Sequence, residues 1–164
     1  TLEELNLDTD YKHLRDTITI SNPNDSRMLI ISTLQADPEL AKSVVDTVCR
    51  HLYNGCGLRT LSPEDPEYHG TYGGPQLKRD MAYHQGTTWV FPMGAYYLAY
   101  LKTHENAAAY VRAQLEALEP MLFEGCAGQL PEIYEGDFPT ESKGCFGQAW
   151  RVGERLRGFE AIEN

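Results

Sequence analysis

The chain has 164 residues, 41% of them hydrophobic, which suits one ordinary domain with a real core. Its 24 acidic against 14 basic residues leave a net charge of −10. A surface that acidic repels phosphate backbones, and the densest basic run, Arg151 to Arg157, is broken by Glu154, so no nucleic-acid partner is expected. No window approaches the ~20 apolar residues of a membrane-spanning helix, and the acidic start lacks the regions of a signal peptide. No membrane partner is expected either.

Residues 1–22 are polar and weakly patterned, with Thr17 to Ile20 the only strand-like run. Asn22-Pro23-Asn24-Asp25 reads as a helix entrance, and Met28 to Leu34 as a buried helix or strand, since periodicity cannot settle so short a segment. Asp37 is positioned to cap a helix, Pro38 to occupy its first turn and Glu39 to face its positive end. Leu40, Val44, Val48 and Leu52 then recur every four residues, Val45 and Cys49 widen the stripe, and Asn54-Gly55 stops it. Residues 55–86 read as a long irregular loop rich in glycine, proline, tyrosine and histidine, a first candidate binding loop. An apolar helix is expected from Thr88 to about Lys102, with Pro92 in its first turns and an aromatic stripe that reads as core packing. A helix from Asn106 to Leu122, a second rich loop from Gly125 to Gly147 and a last helix from Gln148 to Gly158 complete the reading. The fold class predicted is all-α, with little strand and the chemistry on loops between helices.

Four cysteines, at 49, 56, 126 and 145, form no CxxC pair and gather no histidines. They read as reduced thiols of a cytoplasmic protein. Nucleophilic Cys–His catalysis at Cys56 or Cys145 is a weak rival, because no spacing selects a partner histidine. No glycine-rich nucleotide motif is present.

Two strings carry chemistry. Residues 128–137 hold Glu132, Glu135 and Asp137, of which the first two lie beside apolar side chains. Burial tunes a carboxyl's pKa, so one of the three could act as a general base; the alternative is a helix cap or a solvated acidic turn. Residues 79–89 combine Arg79, Asp80, His84, Gln85 and Trp89. Planar polar side chains take sugar hydroxyls in pairs, and an indole packs on a pyranose face.

Gly57-Leu58-Arg59-Thr60-Leu61-Ser62-Pro63, Tyr83-His84-Gln85-Gly86-Thr87-Thr88-Trp89, Leu130-Pro131-Glu132-Ile133 with Gly136-Asp137, and Gly144-Cys145 with Gln148-Ala149-Trp150 follow one another in the chain. Together they resemble the C-terminal part of glycogen debranching enzymes, the amylo-α-1,6-glucosidase domain, over roughly residues 22–157. The resemblance implies an (α/α)6 toroid and inverting hydrolysis of the α-1,6-linked glucose at a branch point of glycogen or starch. It makes Glu132 the catalytic general base and places His84, Gln85 and Trp89 in the glucose-binding wall, with Arg59 and Asp80 as further substrate-binding residues. It implies no cofactor and no metal.

The chain departs from the family where Asn22-Pro23-Asn24-Asp25 replaces a common Arg-Pro-Asn-Gln, and where Phe91 replaces a second tryptophan. A toroid needs twelve helices and an upstream catalytic aspartate, which Asp8, Asp10 and Asp16 do not match in context. The expectation is therefore that residues 1–164 form a single domain or fragment, the C-terminal part of a longer enzyme, inactive alone. Its partners would be a branched α-glucan and the upstream segment of the same enzyme, and exposed inner faces would favour self-association. The alternatives are a non-catalytic helical carbohydrate-binding module and a trehalase- or glucoamylase-type hydrolase on the same toroid.

Overall fold

Pro38 opens the first helix, α1 (Pro38–His51), where a missing amide leaves no hydrogen bond unmade. The computed structural model describes residues 18–21, 30–33 and 38–163. The Asn22–Asp25 entrance, the Asp37 cap and the N-terminal aspartates lie outside these residues. The chain divides into two compact units, 1–41 and 42–164.

In the first unit, β1 (Ile18–Ser21) pairs antiparallel with β2 (Ile30–Thr33), in the register Ile18↔Thr33 to Ser21↔Ile30. The strand-like run at 17–20 thus forms a strand, and the ambiguous run after Met28 also resolves as one.

The second unit is largely helical around a small antiparallel sheet. On α1 the core-facing residues are Val45, Val48, Cys49 and Leu52, whereas Val44, expected on the stripe, is 37% exposed. The stripe is real but rotated by one residue. The next helices are α2 (Gln76–Ala82), α3 (Met93–Thr103), α4 (Ala107–Ala117) and α5 (Ala149–Glu163), with a 3-10 turn at Pro120–Phe123. Met93, Tyr96 and Tyr97 of α3 and Val111 and Leu115 of α4 are buried in one core with Val45, Val90, Leu118, Leu130 and Tyr134. Burying each such side chain contributes about 1.5–3 kcal/mol. The aromatic stripe of α3 is therefore core packing, as its spacing suggested.

Three helix boundaries differ from expectation. A helix starting at Thr88 would need an amide from Pro92 to bond the Thr88 carbonyl, and proline has none. Pro92 instead precedes the first helical residue, and Tyr96 N–H donates to its carbonyl at 3.0 Å. Asn106 does stand at the start of α4, but in the left-handed region (φ 55°) and without a side-chain capping bond. Beyond Ala117, Pro120 cannot continue the α ladder, so Glu119 N–H and Met121 N–H bond the carbonyls three residues back, Glu116 and Leu118, at 2.9 and 3.2 Å. Finally, α5 runs through Gly158. A Cβ there would lie 2.8 Å from Leu115 Cδ2 and 2.9 Å from Tyr97 Cδ2, so this glycine marks a close approach of α5 to α3 and α4 rather than a helix end.

The sheet is the main departure from an all-α reading. β3 (Leu58–Arg59), β4 (Thr88–Trp89), β5 (Ile133–Tyr134) and β6 (Ser142–Lys143) lie side by side in chain order. Leu58 pairs with Trp89, Arg59 with Thr88, Thr88 with Tyr134, and Ile133 with Lys143. Each strand has two residues, and Leu58, Thr88, Trp89, Ile133 and Tyr134 are all buried, so no alternation of polar and apolar residues marks them. These strands tie the two supposedly irregular loops together. Among the described residues no helix is long and apolar enough to cross a membrane.

Candidate active site

Glu132 immediately precedes β5 and is clamped from three sides. Its backbone N–H donates to the Cys145 carbonyl at 2.8 Å, and the Cys145 N–H donates back to Glu132 Oε2 at 3.0 Å. The Tyr83 hydroxyl donates to Glu132 Oε1. Gly144 makes this fit possible: its φ is +71°, and a Cβ on it would stand 2.7 Å from Glu132 Oε2. The carboxylate is thus held in one orientation by a phenol and a backbone amide, and its half-buried residue stands at the start of an interior strand, β5.

Beside it runs an aromatic wall. Tyr83 meets the Trp89 ring edge-on at 4.9 Å between centroids, and exposed His84 stacks on the same indole at 5.2 Å and 16°. Trp89 Nε1–H is shared between the Tyr83 carbonyl at 3.2 Å and Thr87 Oγ1 at 3.0 Å, which fixes the ring in β4. Phe91 packs edge-on to Trp89 at 5.6 Å and against half-exposed Trp150 at 4.3 Å. Burial, and then the bond to Glu132, push the Tyr83 hydroxyl above its ordinary range. Tyr83 therefore stays protonated and donating across neutral pH.

Arg151, in the first turn of α5, closes the site from behind. It is fully buried, with its Cζ 5.1 Å from the Trp89 ring centroid and its Nε donating to Gln148 Oε1 at 3.0 Å. Burial pushes its guanidinium down to about 10, against the opposing pull of Glu132, so it remains charged at neutral pH.

The hydrogen bonds of the other expected site residues run elsewhere. Arg59 Nε donates to the Gly136 carbonyl at 2.9 Å and bridges β3 to the turn after β5; next to it the Tyr68 hydroxyl bonds Asp137 Oδ1 at 2.9 Å. Gln85 is half-buried and accepts the His69 N–H through its backbone carbonyl at 2.6 Å. Asp80 is exposed on α2, and no hydrogen bond or ion pair joins it to Glu132 among the described residues. Cys56 does not suit the cysteine nucleophile reading: it is buried and its thiol is pushed up to about 11, opposite to what a nucleophile needs. All four cysteines are free. No group of three histidine, cysteine or acidic residues among the described residues could hold a metal ion.

A family model described as amylo-alpha-1,6-glucosidase matches residues 4–157. The chain belongs to this family. It is a glycosidase-type domain of the glycogen-debranching kind. No curated protein matches the chain significantly. Two residues of this cluster, Tyr83 and Arg151, have no role assigned from the sequence. Tyr83 opens the Tyr83–Trp89 motif, but nothing local marks it as a partner of Glu132. Arg151 carried a signal that could have been read, because a cation in the first turn of a helix opposes the helix dipole.

Proposed function

We propose that Glu132 is the general base of an inverting α-1,6-glucosidase that releases the glucose stub at branch points of glycogen or starch. The observation that carries this reading is the clamp on its carboxylate, held by Tyr83 and the Cys145 amide next to the Trp89–His84 wall. A base must be fixed toward one point in space, and the exposed ring of His84 on Trp89 offers a flat surface for a pyranose face. The family resemblance assigns Gln85, Arg59 and Asp80 to substrate binding as well.

In the proposed reaction, Glu132 takes a proton from a water as that water's oxygen bonds the anomeric carbon. The C1–O6 bond breaks, and a carboxylic acid on the opposite face protonates the leaving oxygen. Inversion follows because water enters from the side opposite the leaving group, with about 6.5–9.5 Å between the two carboxyls. The acid would come from an upstream segment of the same enzyme, which would also complete the (α/α)6 toroid begun by these helices. Large apolar side chains left exposed, among them Phe146 (74%) and Leu156 (60%), support a covering partner of that kind, or self-association.

Glu132→Gln in the intact enzyme tests the reading. Glucose release from a branched limit dextrin should fall about 10²–10⁴-fold while oligosaccharide binding persists. Undiminished turnover would overturn the assignment of Glu132, and binding without any turnover in the wild type would favour a non-catalytic carbohydrate module.

A further inference from the structure

Arg151 poses a problem that the reaction above does not use. It is fully exposed to the cost of burial, at 0% accessibility, and neither Nη1 nor Nη2 has a hydrogen-bond partner among the described residues. Only Nε is satisfied, by the neighbouring Gln148 side chain. A buried cation is tolerated when an anion lies close enough to offset its lost hydration. The α5 N-terminus makes matters worse, since its dipole is positive there.

The groups that face the guanidinium come from four segments: Glu132 and Tyr134 flanking Ile133, Tyr83 after α2, Cys145 before α5, and the Trp89 ring of β4. Glu132 exerts the strongest charge interaction of these, and it is the carboxylate of the set. The backbone brings the two together, because Gln148 N–H bonds the Leu130 carbonyl at 3.0 Å and so seats the start of α5 against the strand that carries Glu132. Both Glu132 oxygens already accept bonds from Tyr83 and Cys145, which leaves Arg151 to act on it through space.

We propose that Arg151 is the positioning residue of Glu132: its buried guanidinium, whose two Nη groups have no hydrogen-bond partner among the described residues, is the fixed counter-charge that holds this carboxylate in place. The inference deepens the reading of Glu132 as a base and rests on it for its catalytic meaning, while the charge pair itself can be measured without turnover.

A double-mutant cycle decides it. Glu132→Gln, Arg151→Met and the double variant are compared with the wild type by denaturant unfolding. Glu132→Gln should lower the folding equilibrium constant about tenfold when Arg151 is present, and about threefold or less when it is Met. Equal losses in both backgrounds would overturn the proposal. Should Arg151→Met fail to fold, Glu132→Gln alone suffices: solvent exchange of the Arg151 Nη–H protons, read by NMR, should rise about tenfold, and unchanged exchange would overturn the pairing. In turnover assays of the intact enzyme, Arg151→Lys should keep kcat near the wild-type value, whereas Arg151→Gln should lower kcat about tenfold with KM little changed. An unchanged kcat in Arg151→Gln would also count against the proposal. A coupled pair in an enzyme that releases no glucose would instead refute the proposed function and leave the pairing standing.

Discussion

Gly144→Ala attacks the clamp on Glu132 without touching the carboxylate itself. At φ +71° a Cβ costs about 1 kcal/mol in backbone strain. The same Cβ would lie 2.7 Å from Glu132 Oε2 and 3.1 Å from Glu132 Cβ, too close to stay. The carboxylate must swing away, losing the Cys145 N–H bond of 3.0 Å, and a bond to a charged acceptor contributes about 1.5–3 kcal/mol. Together these give about 2.5–4 kcal/mol. In a chain of this size each kcal/mol shifts the melting point by about 2–4 °C, so a fall of about 5–15 °C is expected by circular dichroism. Gly144→Asn separates the two causes, because asparagine tolerates the left-handed region but carries the same Cβ. If the clash dominates, Asn and Ala melt within a few degrees of each other. A Gly144→Ala protein that melts with the wild type would refute the clamp.

Two other perturbations follow from bonds outside the clamp. Thr88→Val removes the buried acceptor of Asn54 Nδ2, 2.8 Å away, and should cost about 1–3 kcal/mol by urea unfolding; Thr88→Ser, which keeps the hydroxyl, should recover most of it. Asp46 is held below its ordinary value of 3.8, first by the bond from Lys42 and then by that from His104. A depressed carboxyl stabilises the fold above its unfolded pKa and loses that contribution as pH falls through its folded one. The stability gap between wild type and Asp46→Asn should therefore be full above pH ~5 and close as pH drops below ~4. A gap that persists to pH 2 would contradict the sign.

The helices were legible because their apolar residues recur with the helical period, as at Val45, Val48, Cys49 and Leu52. The error of one residue at Val44 reflects the tertiary choice of which neighbour covers the stripe, which periodicity leaves open. Helix ends at Pro92 and Pro120 follow from the missing amide alone, and a stricter use of that rule would have placed both. The sheet was illegible for a different reason. Strands of two residues are too short to show an alternation, and β3, β4 and β5 find partners separated from them by helices or long connections. The motifs around Trp89, Glu132 and Cys145 pointed to one place, and the structure brings them into contact. Tyr83, inside the Trp89 motif, and Arg151, an unusual cation in the first turn of α5, meet Glu132 and Trp89 through tertiary contacts, so their roles show only in the folded chain.

The pairing of Thr88 with Tyr134 has an architectural consequence. The chain leaves the sheet after β4, builds α3 and α4, and returns to the strand next to the one it left. This helical hairpin is a closed excursion whose two ends are pinned by the sheet. Its far turn, at His104–Asn106, can lengthen without changing where Trp89 and Glu132 stand. Growth at that tip is thus uncoupled from the geometry at the base, and the tip is the natural place to attach a reporter or an extra segment.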